Sequence, residues 1–443
     1  MTLPFDFIEF FNACDPSHTL VMSDPADVRY YIDFASVRGG KVIESMKRTI
    51  VLKKPDQYTC QLFTGHIGCG KSTELRRLQT ELEQQGFHVV YIESDQDLNM
   101  EDVDVTDILL AMMHQIVHSL EEEAKVKIQP GYFRSLFQEI AQTLQSPVEI
   151  GAEFSFPLGL GQITAKTKES PQARSRLRSF LEPRTDGLLK SLNEDVLIKG
   201  TEALKAKGKK GLVVIVDSLD RVGDRLKPGG RSQIEYLFVD RGEQLRRLQY
   251  HLVYTIPLKL VFSNDYQTLM NRMGGGVDAK ILPMVPIHSR RGERNEMGMA
   301  LLRDLVLARA FPESPKGDRP RGLDQLFDDP STLDRLCEFS GGHVRNLLGL
   351  LSGCLQEEDP PINRPCLEGV IRRYRDNLAL AVTDDEWEML QRIARTQSVS
   401  GEDNYTVLLR SLFVFEYQDN QGRWFNVNPG LLETDRLAGA SLL

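Results

Sequence analysis

The sequence has no apolar run long enough to span a bilayer, and its first residues, MTLPFDFIEFFNACD, show no basic start followed by an apolar stretch. These absences argue against a membrane helix and a secretory leader, and they predict a cytoplasmic chain with no membrane partner. Cysteine is sparse: the six residues at 14, 60, 69, 337, 354 and 366 have no paired metal spacing. That pattern fits free thiols in a reducing compartment better than a disulfide framework. Positive charge is in deficit, and a net charge of −9 argues against coating of nucleic acid through bulk charge, leaving local basic surfaces. What remains is an ordinary globular composition of 443 residues, 41% of them hydrophobic, enough for two or three domains with cores.

Against that background one stretch stands out, FTGHIGCGKST at residues 63–73. YTCQLFT before it is rich in β-branched and aromatic side chains, and ELRRLQTELEQQG after it sets Leu75, Leu78 and Leu82 at helical spacing before Gly86. The pattern is strand, loop, helix. Gly65, Gly68 and Gly70 permit backbone angles that turn successive N–H groups inward, so Gly65, His66, Ile67, Gly68, Cys69, Gly70, Lys71, Ser72 and Thr73 form a cradle for phosphate oxygens. The helix amino terminus adds partial positive charge. In the spacing G-x-x-x-x-G-K-S, Lys71 reaches the β and γ phosphates and the Ser72 hydroxyl ligates magnesium, which implies ATP and Mg2+ as cofactors. Cys69 reads as a small residue rather than a redox centre.

A phosphate loop needs an acidic partner for the metal, and GLVVIVDSLDR at 211–221 supplies one. Five apolar residues in a row suit a strand covered on both faces, with Asp217 at its carboxyl end as the metal's acidic partner. Asp220 follows three residues later.

The phosphate loop together with VIVDSLDR resembles the AAA+ and STAND-type signalling ATPases, and the D-x-L-D-R ending is similar to the KAP class of P-loop ATPases. YYIDFASVRGG (30–40) resembles the lead-in to such cores. HLVYTIPL (251–258) resembles the next core strand, with Thr255 at the polar sensor position. SGGHVRNLLGLL (340–351) resembles the opening of the second sensor helix of a lid, and carries Arg345. The resemblance implies an ATPase; it also implies bacterial signalling or antiviral defence. The chain departs from the pattern at Ser218, where AAA+ enzymes usually place the water-orienting glutamate. Asp220 is then the remaining acid for the water, or turnover is slow. Val344 replaces the proline usual near STAND lid glycines, and the membrane helices common in KAP proteins are missing.

These anchors predict an α/β fold: a P-loop NTPase core with a parallel sheet, a helical lid and a C-terminal winged helix. The expected divisions are a lead-in at 1–50, a core at 51–290 with an inserted hairpin and helix segment at about 128–205, a lid at 291–375 and a winged helix at 376–443. FHVVYIE (87–93) reads as a second strand. VTDILLAMMHQIVHSL (105–120) reads as a helix with one core-facing stripe, Ile108, Leu109, Met112, Ile116 and Leu120. His114 and His118 share a face of it, without a third metal ligand. VEIGAEFSFPLGLGQITAKTK (148–168) reads as an exposed hairpin. From 163 to 190 seven basic residues face three acidic ones, a balance that fits a solvated helix face, an acidic partner, a neighbouring subunit or a phosphate backbone. DEWEMLQRIAR and NYTVLLRSL read as helices, and FVFEYQ, DNQG and RWFNVNP as a hairpin with alternating Phe413, Phe415 and Tyr417. Residues 376–443 carry eleven acidic and five basic side chains, the wrong sign for DNA, which favours protein docking or autoinhibition.

The combined expectation is an ATP-binding and hydrolysing switch that controls assembly or a separate protein effector. Lys71 and Ser72 serve phosphate and metal, Asp217 the metal, Asp220 the water, Thr255 the γ-phosphate and Arg345 lid closure. Arg272 is the first candidate for an arginine supplied to a neighbour in a nucleotide-dependent homo-oligomer, with Arg290 and Arg291 behind it. Two alternatives stand beside it: a DNA-binding AAA+ regulator of the replication or transposition type that uses 148–190 as its contact, and a nucleotide-locked scaffold with negligible turnover. Nucleic acid through 148–190 is not favoured.

Overall fold

The computed structural model describes residues 3–54, 57–127, 139–140, 142–144, 156–401 and 403–437. They group into two compact units. One comprises Met1–Val42, Gly65–Arg77 and Ile281–Leu443, the other Ile43–Thr64 and Leu78–Lys280.

The chain is α/β, with a five-stranded sheet of β1 (Cys60–Gly65), β2 (His88–Glu93), β3 (Leu212–Asp217), β4 (His251–Thr255) and β5 (Lys280–Leu282) in the order β2-β3-β4-β1-β5. The pairs β1–β4, β2–β3 and β3–β4 are parallel, with Phe63 opposite Thr255 and Glu93 opposite Asp217. Every residue of β3 is buried, as a strand covered on both faces requires. β4 lies between β1 and β3, and Leu75, Leu78 and Leu82 of the helix Lys71–Gln84 are fully buried. Truncating one of them to alanine would cost about 3 kcal/mol.

In the second unit, the helix Val105–His118 buries more than the expected stripe: Leu110, Ala111, Met113 and Val117 are also inside. The reason is a second layer. Where an exposed hairpin is expected at 148–168, the chain forms the helix Phe156–Glu169 followed by Pro171–Leu181; residues 148–155 lie outside the described residues. Gly161 marks a close approach rather than a turn, since a Cβ there would fall 3.0 Å from Nε2 of His114. Ser170 caps the following helix by accepting from the N–H of Ala173, and Pro171 occupies its first turn.

The basic run is absorbed by this layer. Arg174 and Arg178 pair with Asp102, and Arg178 also with Asp107. Lys166 and Lys168 donate to the carbonyls of Leu144 and Asp95. Burial pushes the Asp102 carboxyl up, but the guanidiniums of Arg178, Arg225 and Arg174 overcome this and hold it below its usual value. Arg174 and Arg178 therefore neutralise the unit's own aspartates.

In the first unit the helices Glu296–Ala310, Pro330–Phe339, Val344–Leu355 and Arg364–Leu380 enclose a core that includes Leu302, Leu336, Leu351 and Leu367, joined by Phe10 and Phe34 of the lead-in. The C-terminal module is a winged helix: Asp384–Thr396, Asp403–Arg410, then β6 (Val414–Asp419) antiparallel to β7 (Gly422–Val427). Thr383 and Glu386 form a capping box at its start. The alternating Phe413, Phe415 and Tyr417 are all buried, and Tyr417 stacks on Trp424 with ring centroids 4.5 Å apart. Among the described residues no helix is long and apolar enough to cross a membrane.

Candidate functional site

The loop after β1 has the conformation its glycines allow. Gly68 and Gly70 sit at φ +84° and +101°, angles that strain any residue with a Cβ. A Cβ on Gly70 would meet nothing within 4 Å, so the backbone at the helix entrance faces open space. Lys71, largely buried, turns its ammonium into the loop and donates to the carbonyls of Gly65 (2.9 Å) and His66 (2.8 Å). Phosphate oxygens would offer it charged acceptors, which make shorter and stronger bonds than neutral carbonyls. Ser72 and Thr73 lie partly exposed in the first turn, where helical N–H groups lack intrahelical acceptors. These donors fit the phosphate chain of a nucleotide. A serine hydroxyl fits magnesium, which takes oxygen ligands.

Three other segments of the same unit hold this loop. From the lead-in, buried Arg38 donates to the carbonyl of Cys69 at 2.8 Å, and Cys69 itself is buried with its Sγ 3.6 Å from the carbonyl oxygen of Leu282. From the lid, His343 caps the helix Val344–Leu355 by accepting the N–H of Asn346 at Nδ1, so its Nε2–H donates to the carbonyl of Ile67 at 2.8 Å. Arg345 donates its backbone N–H to the carbonyl of Gly68 and its Nε–H to that of Pro16. From the winged helix, the N–H of Glu416 donates to Nε2 of His66 at 3.0 Å. Phe415 stacks on His343 and meets His66 edge-on. Burial lowers the pKa of His66 to about 3 and of His343 to about 4, so both rings are neutral. The Glu416 carboxyl is raised by burial against the opposing pull of Arg423. None of these couplings is legible from loop spacing. His66 and His343 fall within the loop and lid motifs at positions where the spacing asks for no particular side chain, and Glu416 sits in an acidic module with no local signal for a loop partner.

In the other unit, Asp217 ends β3. Its Oδ1 accepts from the N–H of Ser218 (2.7 Å) and its Oδ2 from the hydroxyl of Tyr91 (2.6 Å). Ser218 is left-handed at φ +66°, so the residue after the aspartate turns out of the strand's alternation. Thr255 is fully buried, and its hydroxyl accepts the N–H of Leu219, 3.4 Å from the carbonyl of Val216. It braces the turn after β3. Asp220 lies in that turn, Leu219–Arg221. Sequence reasoning missed Glu93. It pairs in register with Asp217 on the neighbouring parallel strand, so the two side chains share one face of the sheet, as does Tyr91 two residues before it.

The arginine candidates differ in position. Arg272 ends the helix Tyr266–Arg272 and donates to the carbonyl of Val239. Arg290 forms a two-pronged pair with Asp419 and also donates to the carbonyl of Gly422, fixing the tip of the β6–β7 hairpin. Arg291 is exposed.

No family model matches the chain, and no curated protein does. Two solved structures from Aeropyrum pernix are similar to it. One is the ORC1 protein in complex with DNA, 14% identical over 90% of this chain and 92% of that one, with a TM-score of 0.36. The other is the ORC2 protein in its ADPNP–ADP complexes, 11% identical over 90% of this chain and 91% of that one, with a TM-score of 0.37.

Proposed function

We propose that the chain is an ATP-binding and hydrolysing protein whose nucleotide state is read by its winged helix. The observation that carries the first half is the loop itself, with left-handed Gly68 and Gly70 around a buried Lys71 at a helix entrance. Lys71 and the loop amides bind the phosphates, Ser72 and Asp217 hold magnesium, and bound magnesium supplies charge neutralisation at the phosphates. Asp217 is kept in place by Tyr91. The attacking water belongs to Glu93 ahead of Asp220, because Glu93 shares the face of Asp217 while Ser218 occupies the usual glutamate position in a left-handed turn. Arg345 serves lid closure, Thr255 braces the turn behind Asp217, and the D-x-L-D-R ending supports a STAND- or KAP-like affiliation.

The second half rests on His66. A loop that must reshape around phosphates is bonded through this side chain to β6, so nucleotide entry and hairpin position bias one another. Amide exchange at 413–427 with and without ATP and magnesium tests it: altered protection there in the wild type, absent in Lys71→Ala, is the expected result.

A second reading is a DNA-binding regulator. The winged helix favours it, since a helix–helix–hairpin module is a common way of presenting a helix to a groove. The contact then falls to this module ahead of 148–190, where Arg174 and Arg178 are paired internally. Salt-dependent retention on duplex DNA selects this reading.

A further inference from the structure

We propose that the second unit carries a separate binding site for a small, multiply phosphorylated ligand of nucleotide size, at the amino-terminal edge of the sheet. The site is a cavity of about 360 Å3. Its floor is formed where strands begin: Phe87 precedes β2, Leu212 opens β3 and His251 opens β4. Four lysines line it, Lys53, Lys54, Lys205 and Lys210, and among the described residues no carboxylate does. All four are exposed, and among the described residues none forms an ion pair.

Elsewhere in this unit arginines are matched with aspartates, as at Arg174 and Arg178, so four lysines lining one cavity with no ion pair among the described residues, in a chain of net charge −9, are out of keeping with their surroundings. Like charges at a cavity mouth repel one another, and a phosphate chain relieves that repulsion while accepting charge-assisted hydrogen bonds. Lysine suits such a ligand because its three donors rotate freely on a flexible stem.

Two further observations point to a ligand. Thr201 lines the cavity, is 4% exposed, and its hydroxyl has no hydrogen-bond partner. A buried hydroxyl without a partner is costly unless something satisfies it. The floor is aromatic: the rings of Tyr58 and Phe87 each meet His251 edge-on, and Nδ1 of His251 lies 3.0 Å from the hydroxyl of Thr59. Burial and the charge of Lys53 hold His251 neutral, with a pKa of about 4. An apolar floor beneath a cationic rim fits a molecule with a compact ring and a phosphate tail. The volume is at the lower end of small-molecule sites, roughly 300–1,000 Å3, and does not admit a duplex. Asp217 and Glu93 stand at the opposite ends of the same strands, about 17 Å away for five residue rises of about 3.3 Å each. The cavity is therefore not part of the chemistry assigned to Asp217.

The test uses the full chain carrying Lys71→Ala, to silence the phosphate loop, and titrates inorganic pyrophosphate and ADP without magnesium by calorimetry. One site is expected, weakening with salt, and losing at least tenfold in affinity when Lys205→Ala and Lys210→Ala are added. Thr201→Val, nearly isosteric, should weaken it severalfold. Unchanged melting midpoints confirm that these variants fold. No binding by the Lys71→Ala protein, or binding indifferent to the lysine pair, overturns the proposal. Retention of duplex DNA through these lysines without pyrophosphate binding overturns it in favour of nucleic acid. If Lys71→Ala keeps all nucleotide binding and the lysine pair removes it, this site stands and the phosphate-loop assignment falls.

Discussion

Nε2 of His66, in the glycine-rich loop after β1, accepts the backbone N–H of Glu416 from the first strand of the winged-helix hairpin at 3.0 Å. The bond joins the segment that would grip phosphate to a module far along the chain. His66→Phe keeps a ring of similar size and removes the acceptor. It should destabilise the first unit by about 1–3 kcal/mol, the cost of a buried N–H left unpaired, and raise amide exchange at Glu416. Chemical denaturation and exchange mass spectrometry would show both. Unchanged exchange at Glu416 would mean that the bond does not hold the strand.

The two neutral histidines predict a pH dependence. An unfolded histidine takes up a proton near pH 6.5, whereas burial lowers His66 to about 3 and His343 to about 4. Their folded pKa values are depressed, so the stability they contribute is complete above pH 6.5 and is lost as pH falls from there toward 4. The slope approaches about 1.4 kcal/mol per pH unit for each ring. Denaturation midpoints between pH 8 and pH 4 should fall accordingly, and His66→Phe should reduce the slope.

Lys71→Ala should weaken ATP binding at least tenfold, because the cation that the loop positions for phosphate is gone. Calorimetry with ATP and magnesium reads this directly. A folded variant with native affinity would remove the phosphate-loop assignment.

Glu93→Gln should lower turnover by at least a hundredfold at unchanged ATP affinity, since an amide cannot take the water's proton. Asp220→Asn should stay within a few-fold of the wild type. The reverse pattern, measured by phosphate release, would return the water to Asp220.

Assembly is read by mass photometry across apo, ADP and ATP–magnesium states. ATP should raise the mass, and Arg272→Ala should still bind ATP and assemble while hydrolysing slowly, because a donated arginine acts on transition-state charge. A monomer in every state would remove the shared site.

Much of the architecture is legible in local pattern. The five-residue apolar run before Asp217 could only be a covered strand, and Leu75, Leu78 and Leu82 fixed the helix after the loop by their spacing. The hairpin aromatics carried the wing in the same way. The segment after Val148 was misread because Gly159, Gly161 and Pro157 look like turn residues. In the structure Gly161 instead makes room for His114, a contact between residues far apart in sequence. The same non-locality hid Glu93, whose relation to Asp217 exists only through strand register, and the internal pairing of Arg174 and Arg178, which a count of charges cannot reveal.

The grip of β6 on the loop bears on how the chain can be dissected. A shortened protein ending near residue 380 would lose the N–H that His66 accepts, the ring that covers His343 and the Tyr417 hydroxyl that donates to the Gly341 carbonyl. It would expose apolar surface beside the loop that follows β1 and leave two uncharged imidazoles open to water and to protons. Nucleotide binding measured on such a fragment would describe a differently shaped loop with a new acid sensitivity, so the winged helix belongs to the loop's working unit.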